Sequence, residues 1–188
     1  MRPHIATRRS GFVNSEAPDL KQALRPVPTY ERAVREVSRM LAAAGIRHAL
    51  AGALAANAYR SRPRTTEDID FLVGDEAFEA HPGGFVTLRV PVIEFDGIAV
   101  DQVPLGEALR VLEEGLGRAP VSDGVPIAAL DTIVVMKLLA GRTQDLADIE
   151  AIAGSGVDRD SLRTAVRRLV PDRAATLERL FENADSSR

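Results

Sequence analysis

The sequence predicts an α/β fold of the α+β kind: a small mixed β-sheet flanked by helices, followed by a C-terminal helical subdomain. Three observations predict it. Short apolar runs of strand type alternate with segments of helical period up to about residue 127. Asp96-Gly97 separates two such runs, Val92 to Phe95 and Ile98 to Val103, which is the strongest short-range hairpin signal. Beyond that point every periodic segment is helical. The implied organisation is an N-terminal arm over 1–28, partly disordered, an α/β core over 29–127 and helices over 128–188.

The arm is assigned because Arg2, Arg8, Arg9 and four prolines leave no sustained periodicity. Thr29 is placed to cap a helix from Tyr30 to Ala44, whose apolar residues recur at three- and four-residue spacing and which Gly45 ends. His48 to Ala51 reads as a strand, and Gly52-Ala53 opens a helix that runs to about Arg60. An exposed turn, Ser61 to Thr66, leads into the strand Asp68 to Val73. A polar loop over 75–84 and a strand from Phe85 to Val90 precede the hairpin. Helices are then expected over Leu105 to Leu116, Ala129 to Ala140 with Gly141 as its stop, a segment capped by Thr143, Ser161 to Leu169, and Arg173 to Asn183.

Composition narrows the function classes. A chain of 188 residues with 45% hydrophobic and 27% charged residues has the balance of a globular protein with a real core. It contains no cysteine, which excludes disulfides, thiolate metal sites and a cysteine nucleophile within it. No apolar run approaches the roughly 20 residues of a membrane span, and no signal-peptide core stands at the start, so a cytoplasmic protein without membrane partners is expected. The net charge of −3 argues against nucleic-acid binding over the whole surface. His4, His48 and His81 lie too far apart in sequence to suggest a histidine metal site.

The chemistry concentrates between Ala51 and Asp70. Strand side chains alternate faces, so Asp68 and Asp70 share one face while Ile69, Phe71 and Val73 turn to the core. Two carboxylates side by side repel each other unless a cation lies between them, and hard divalent ions prefer such oxygen ligands. The plainer alternative is a pair of solvated acids at a strand end. Gly52, between a strand and a helix start, suits a phosphate or simply a tight turn. Asp101 sits inside a strand, where a carboxylate is either an edge-strand solubility device or the third member of an acidic cluster. Lys137 is a single cation on a helix apolar around much of its circumference, so it either snorkels or needs a counter-ion. Asp145 and Asp148 share a helix face at i, i+3 and would hold Arg142 or Lys137 in place. Arg159, Arg163, Arg167, Arg168 and Arg173 make the last helices basic, either as a solvated face or as an RNA-phosphate surface.

Over roughly residues 45–152 the chain resembles the polymerase-β-like nucleotidyltransferases, and most of all the AbiEii-type toxin branch. The pattern falls on Gly52-Ala53, Pro63-Arg64-Thr65-Thr66, Asp68-Ile69-Asp70-Phe71, Asp101, Lys137 and Arg142-x-x-Asp145-x-x-Asp148. Ala53 departs from it, since the family carries a second Gly or a Ser there; the backbone N–H is kept and the hydroxyl is lost. The resemblance implies transfer of a nucleoside monophosphate from an NTP to an acceptor hydroxyl. It implies Asp68, Asp70 and Asp101 as ligands of two Mg²⁺ ions, with Mn²⁺ as the alternative. Gly52, Ala53, Arg64, Thr66 and Lys137 would bind the nucleotide, with Arg142, Asp145 and Asp148 in support. It also implies an RNA acceptor such as a tRNA 3′ end, or a protein, and a cognate antitoxin as partner. An aminoglycoside-type small-molecule transferase and a non-catalytic interaction module remain open beside it.

Overall fold

The computed structural model describes residues 17–186. Eight helices occur among them: α1 (Leu20–Leu24), α2 (Glu31–Ala43), α3 (Gly52–Asn57), α4 (Glu113–Gly117), α5 (Leu130–Ala140), α6 (Thr143–Ala153), α7 (Arg159–Leu169) and α8 (Ala174–Ser186). The strands are β1 (His48–Leu50), β2 (Asp68–Val73), β3 (Phe78–Ala80), β4 (Val86–Leu88), β5 (Glu94–Phe95), β6 (Ile98–Pro104), β7 (Val121–Ser122) and β8 (Val125–Pro126). The main sheet has the order β1-β2-β6-β5 and is mixed: β2 runs antiparallel to β1 and parallel to β6, which pairs antiparallel with β5. This is the expected class, a small mixed sheet among helices.

The sheet is held because β2 buries Ile69, Phe71, Leu72 and Val73 completely while Asp68 and Asp70 keep partial exposure. Parallel strands need a crossover, and here the β3–β4 hairpin and the chain around it supply it. One apolar cluster reaches from Leu20 through Leu54, Val100 and Ile133 to Ala184, so the last helices close over the same core as the sheet. Within it the buried His48 ring bonds Ser38 Oγ at 2.8 Å and the Ile46 carbonyl oxygen at 2.8 Å, and burial lowers its pKa. Gly45 and Gly141 end α2 and α5 in the left-handed region, as their positions predicted.

Several expectations need correction. Residues 1–16 of the proposed arm lie outside the described residues, but 20–24 form α1 and bury Leu20, Ala23 and Leu24. Thr29 does not cap α2; Pro28 starts a single 3-10 turn over Pro28–Tyr30 that leads straight into the helix. The expected helix over Leu105 to Leu116 is not continuous. Gly106 takes φ +48°, and only a 3-10 turn (Arg110–Leu112) and α4 form. α6 has Arg142 rather than Thr143 at its N-cap, with no side-chain cap bond. The expected loop over 75–84 contains β3, which pairs with β4. The β7–β8 hairpin was not foreseen, although Asp123-Gly124 at its tip adopts the same positive φ angles as Asp96-Gly97. Among the described residues no helix is long and apolar enough to cross a membrane.

Candidate functional site

The parallel pairing of β2 and β6 sets Asp70 directly opposite Asp101, with Asp68 two residues back on the same face as Asp70. One carboxylate oxygen from each of the three lies within 4.8 Å of the others. The cluster is self-repelling. Burial first, then the charges of Asp68 and Asp101, push the Asp70 carboxyl up to about 6, against the opposing pull of Lys137 and Arg142. A hard divalent ion with metal–oxygen bonds of about 2.1 Å spans oxygens up to roughly 4.2 Å apart, so modest side-chain rotation closes the set around one. Three carboxylates and no nitrogen or sulfur donor fit Mg²⁺ or Mn²⁺. Thr66 Oγ1 donates to Asp68 Oδ1 at 2.5 Å and fixes that carboxylate from the turn before β2.

The glycine that opens α3 has a steric reason. Gly52 takes φ +59°, and a Cβ built on it would stand 1.7 Å from Asp70 Oδ2. The preceding Ala51 N–H donates to the Asp70 carbonyl oxygen at 2.8 Å, so the start of α3 lies flat against the acid. Ala51 also offers α3 no side-chain cap. Gly52→Ala is expected to strain the backbone by about 1–2 kcal/mol and to turn the Asp70 carboxylate away. Thermal melts with and without Mg²⁺ check this: the melting temperature should fall and its rise on adding Mg²⁺ should disappear. An unchanged Mg²⁺ response would mean that Asp70 is not held by this contact.

A second charged cluster stands beside the acids. Asp148 is wholly buried and accepts from Arg60 Nη1 (2.7 Å), Arg64 Nε (2.9 Å) and Nη2 (3.0 Å), Lys137 Nζ (2.7 Å) and Gln144 Nε2 (3.3 Å). Asp145 accepts from Lys137 Nζ at 3.1 Å and from Arg142 Nε at 2.6 Å. Burial pushes both carboxyls up, but these donors outweigh it and hold them below the ordinary range. Four cations against two carboxylates leave a surplus of positive charge. Asn57, fully buried, keeps Arg64 in place by accepting its N–H at 2.9 Å and donating to its carbonyl oxygen at 2.8 Å.

Both clusters border one cleft of about 570 Å³. Gly52, Ala53, Arg64, Thr66, Asp68, Asp70, Asp101, Lys137, Arg142 and Asp145 all line it, so ten of the residues singled out in the sequence meet there. Asp148 lies behind them, buried under Lys137 and Arg64. Lys137 spends two of its three donors on Asp145 and Asp148 and is almost fully buried at the edge of the cleft. Sequence reasoning missed Arg60, Asn57 and Gln144. The signals were an asparagine inside the apolar α3 and a glutamine one helical turn before Asp148. The basic C-terminal helices do not form a bare cationic face: Arg159 pairs with Asp185, Arg163 with Asp160 and Glu178, Arg168 with Glu114, and Arg173 with Asp172.

No protein-family model matches the chain, and no curated protein does. Among solved structures it is similar to an antigenic nucleotidyltransferase-like protein from Paracoccidioides brasiliensis, at 19% identity over 86% of this chain and 95% of that one, with a TM-score of 0.46. Superposition at that level is loose.

Proposed function

We propose that this protein is a metal-dependent nucleotidyltransferase that moves a nucleoside monophosphate from an NTP to an acceptor hydroxyl and releases pyrophosphate. One observation carries the reading: the β2–β6 register gathers Asp68, Asp70 and Asp101 in the same cleft as a cationic cluster with charge to spare. Asp68 and Asp70 would hold the nucleotide-associated ion, and Asp101 would join them in holding a second. When bound, these ions supply charge stabilisation and an in-line clamp on the attacking and leaving oxygens. The chain does the rest. Lys137 and Arg142, backed by Asp145 and Asp148, would bind the β- and γ-phosphates, and the N–H groups of Gly52 and Ala53 would meet the same chain of phosphates. Arg64 keeps Asp148 occupied, which leaves Lys137 less fully neutralised. Asp101, the most exposed of the three acids, would take the proton of the acceptor hydroxyl. On the resemblance to AbiEii-type toxins the acceptor is RNA, such as a tRNA 3′ end, or a protein, and the chain acts in the cytoplasm with a cognate antitoxin.

The test is incubation with each α-labelled NTP, Mg²⁺ and cell extract, following label into RNA, protein or small molecules. Asp101→Asn belongs in the same experiment because its amide keeps the shape and loses the charge. It is expected to slow single-turnover transfer by about two decades while NTP affinity falls only modestly. Label entering small molecules alone would replace the macromolecular acceptor. No transfer by the wild-type chain, with NTP bound, would leave a nucleotide-binding module.

A further inference from the structure

The cleft has two chemically different halves. Its ionic half is the acid triad with Lys137 and Arg142. The remainder is aliphatic: Ile133 and Met136 on one face of α5, Leu139 near its end, and Val103 with Leu109 at and after the end of β6. Among the described residues no aromatic ring lines the cleft. Beyond the charged groups and Thr66, the amide of Gln144 is the one polar side chain there among the described residues, and its nitrogen is already turned to Asp148 at 3.3 Å.

We infer that the aliphatic half seats the nucleoside of the bound NTP and selects it by size, without reading the hydrogen-bonding edge of the base. The inference rests on the nucleotidyltransferase reading above. With the triphosphate drawn to the ionic half, the base and ribose are left to Met136, Leu139, Leu109 and Val103, with the buried Ile133 behind them. An aliphatic wall offers contact area, and area separates a purine from a pyrimidine. It does not separate adenine from guanine or cytosine from uracil, because that needs donors and acceptors whose mispairing is costly. Pockets that discriminate by apolar contact reach only modest ratios, whereas those built around hydrogen bonds reach about 10⁴ or more.

The experiment measures Mg²⁺-dependent affinity for ATP, GTP, CTP, UTP and inorganic tripolyphosphate by calorimetry. ATP and GTP should agree within about threefold, as should CTP and UTP, with purines favoured by at most about tenfold. Met136→Ala should weaken all four NTPs by about threefold and leave tripolyphosphate binding unchanged. Met136→Gln, close in shape but able to hydrogen-bond, should open a gap between bases of the same size. A preference of about a hundredfold between ATP and GTP, or between CTP and UTP, overturns the inference and leaves the transferase reading standing. So does equal weakening of tripolyphosphate in Met136→Ala, or tripolyphosphate binding as tightly as the NTPs. If neither NTPs nor tripolyphosphate bind, the transferase reading itself falls and takes this inference with it.

Discussion

Asp148→Ala is expected to be the most destabilising single change in the molecule. The carboxylate is fully buried and accepts from Arg60, Arg64 and Lys137 at once. Its removal leaves Arg60 and Arg64 facing each other without their anion and Lys137 with Asp145 alone. Breaking a buried ion pair from one side costs about 3–5 kcal/mol, against a total stability of roughly 5–15 kcal/mol for a domain. The Asp148 carboxyl lies below its ordinary range, so its stabilising contribution is present above the unfolded value near 4 and is lost as pH falls through its lower folded value. Urea denaturation at pH 7 should therefore show a large drop in midpoint, and the gap between variant and wild type should narrow only in strong acid. A loss below about 1 kcal/mol would mean that water reaches the site and solvates the cations in place of the acid.

That cluster also shows where sequence reasoning stops. Asp145 and Asp148 could be paired with Lys137 and Arg142 because all four lie close together in sequence, at the end of α5 and the start of α6. Arg60 and Arg64 reach Asp148 across 88 and 84 residues of chain, and no local spacing carries that information. The strand Asp68 to Val73 was legible to the residue because its first four residues alternate between half-buried acids and buried apolar side chains, before Leu72 and Val73 are both buried. Its parallel partner was not, since parallel pairing leaves no turn between its strands, and the cluster of three acids therefore stayed conditional on a register that only the folded chain supplies. The hairpin at Asp96-Gly97 was read from its flanking apolar runs. Asp123-Gly124 bears the same signal, but β7 and β8 are two residues each and show no alternation to flank it. The expected helix after Leu105 failed for a local reason: Gly106 spends its freedom on a left-handed turn. The residues that line the cleft were legible where they are strung along short motifs whose geometry strands and helix starts dictate, and not where the fold joins distant segments.

Asp70→Asn should separate stability from activity by moving them in opposite directions. Asp70 is packed against Gly52, opposite Asp101 and two residues from Asp68, so its charge is unwelcome in the folded chain alone. Its carboxyl is pushed up to about 6, mainly by burial and then by its two acidic neighbours. The folded state therefore holds a proton that the unfolded state releases between about pH 4 and pH 6, and stability falls as pH rises through that window. Above it the full penalty applies, on the order of 2–3 kcal/mol for a shift of this size. Asn removes the charge with almost no change of shape. In the absence of divalent ions the variant should match wild type near pH 4 and melt at a higher temperature at pH 7 to 8. Transfer should meanwhile fall by more than about two decades, because an anionic ligand is lost where charge must be stabilised. Mg²⁺ should raise the melting temperature of wild type and do so much less for the variant, since binding to the folded state alone is what stabilises it. A residue kept only for the fold would lose stability on substitution at every pH. If Asp70→Asn melts below wild type at pH 7 to 8, or transfers at near-normal rate, the acids are a structural feature and the metal assignment is wrong.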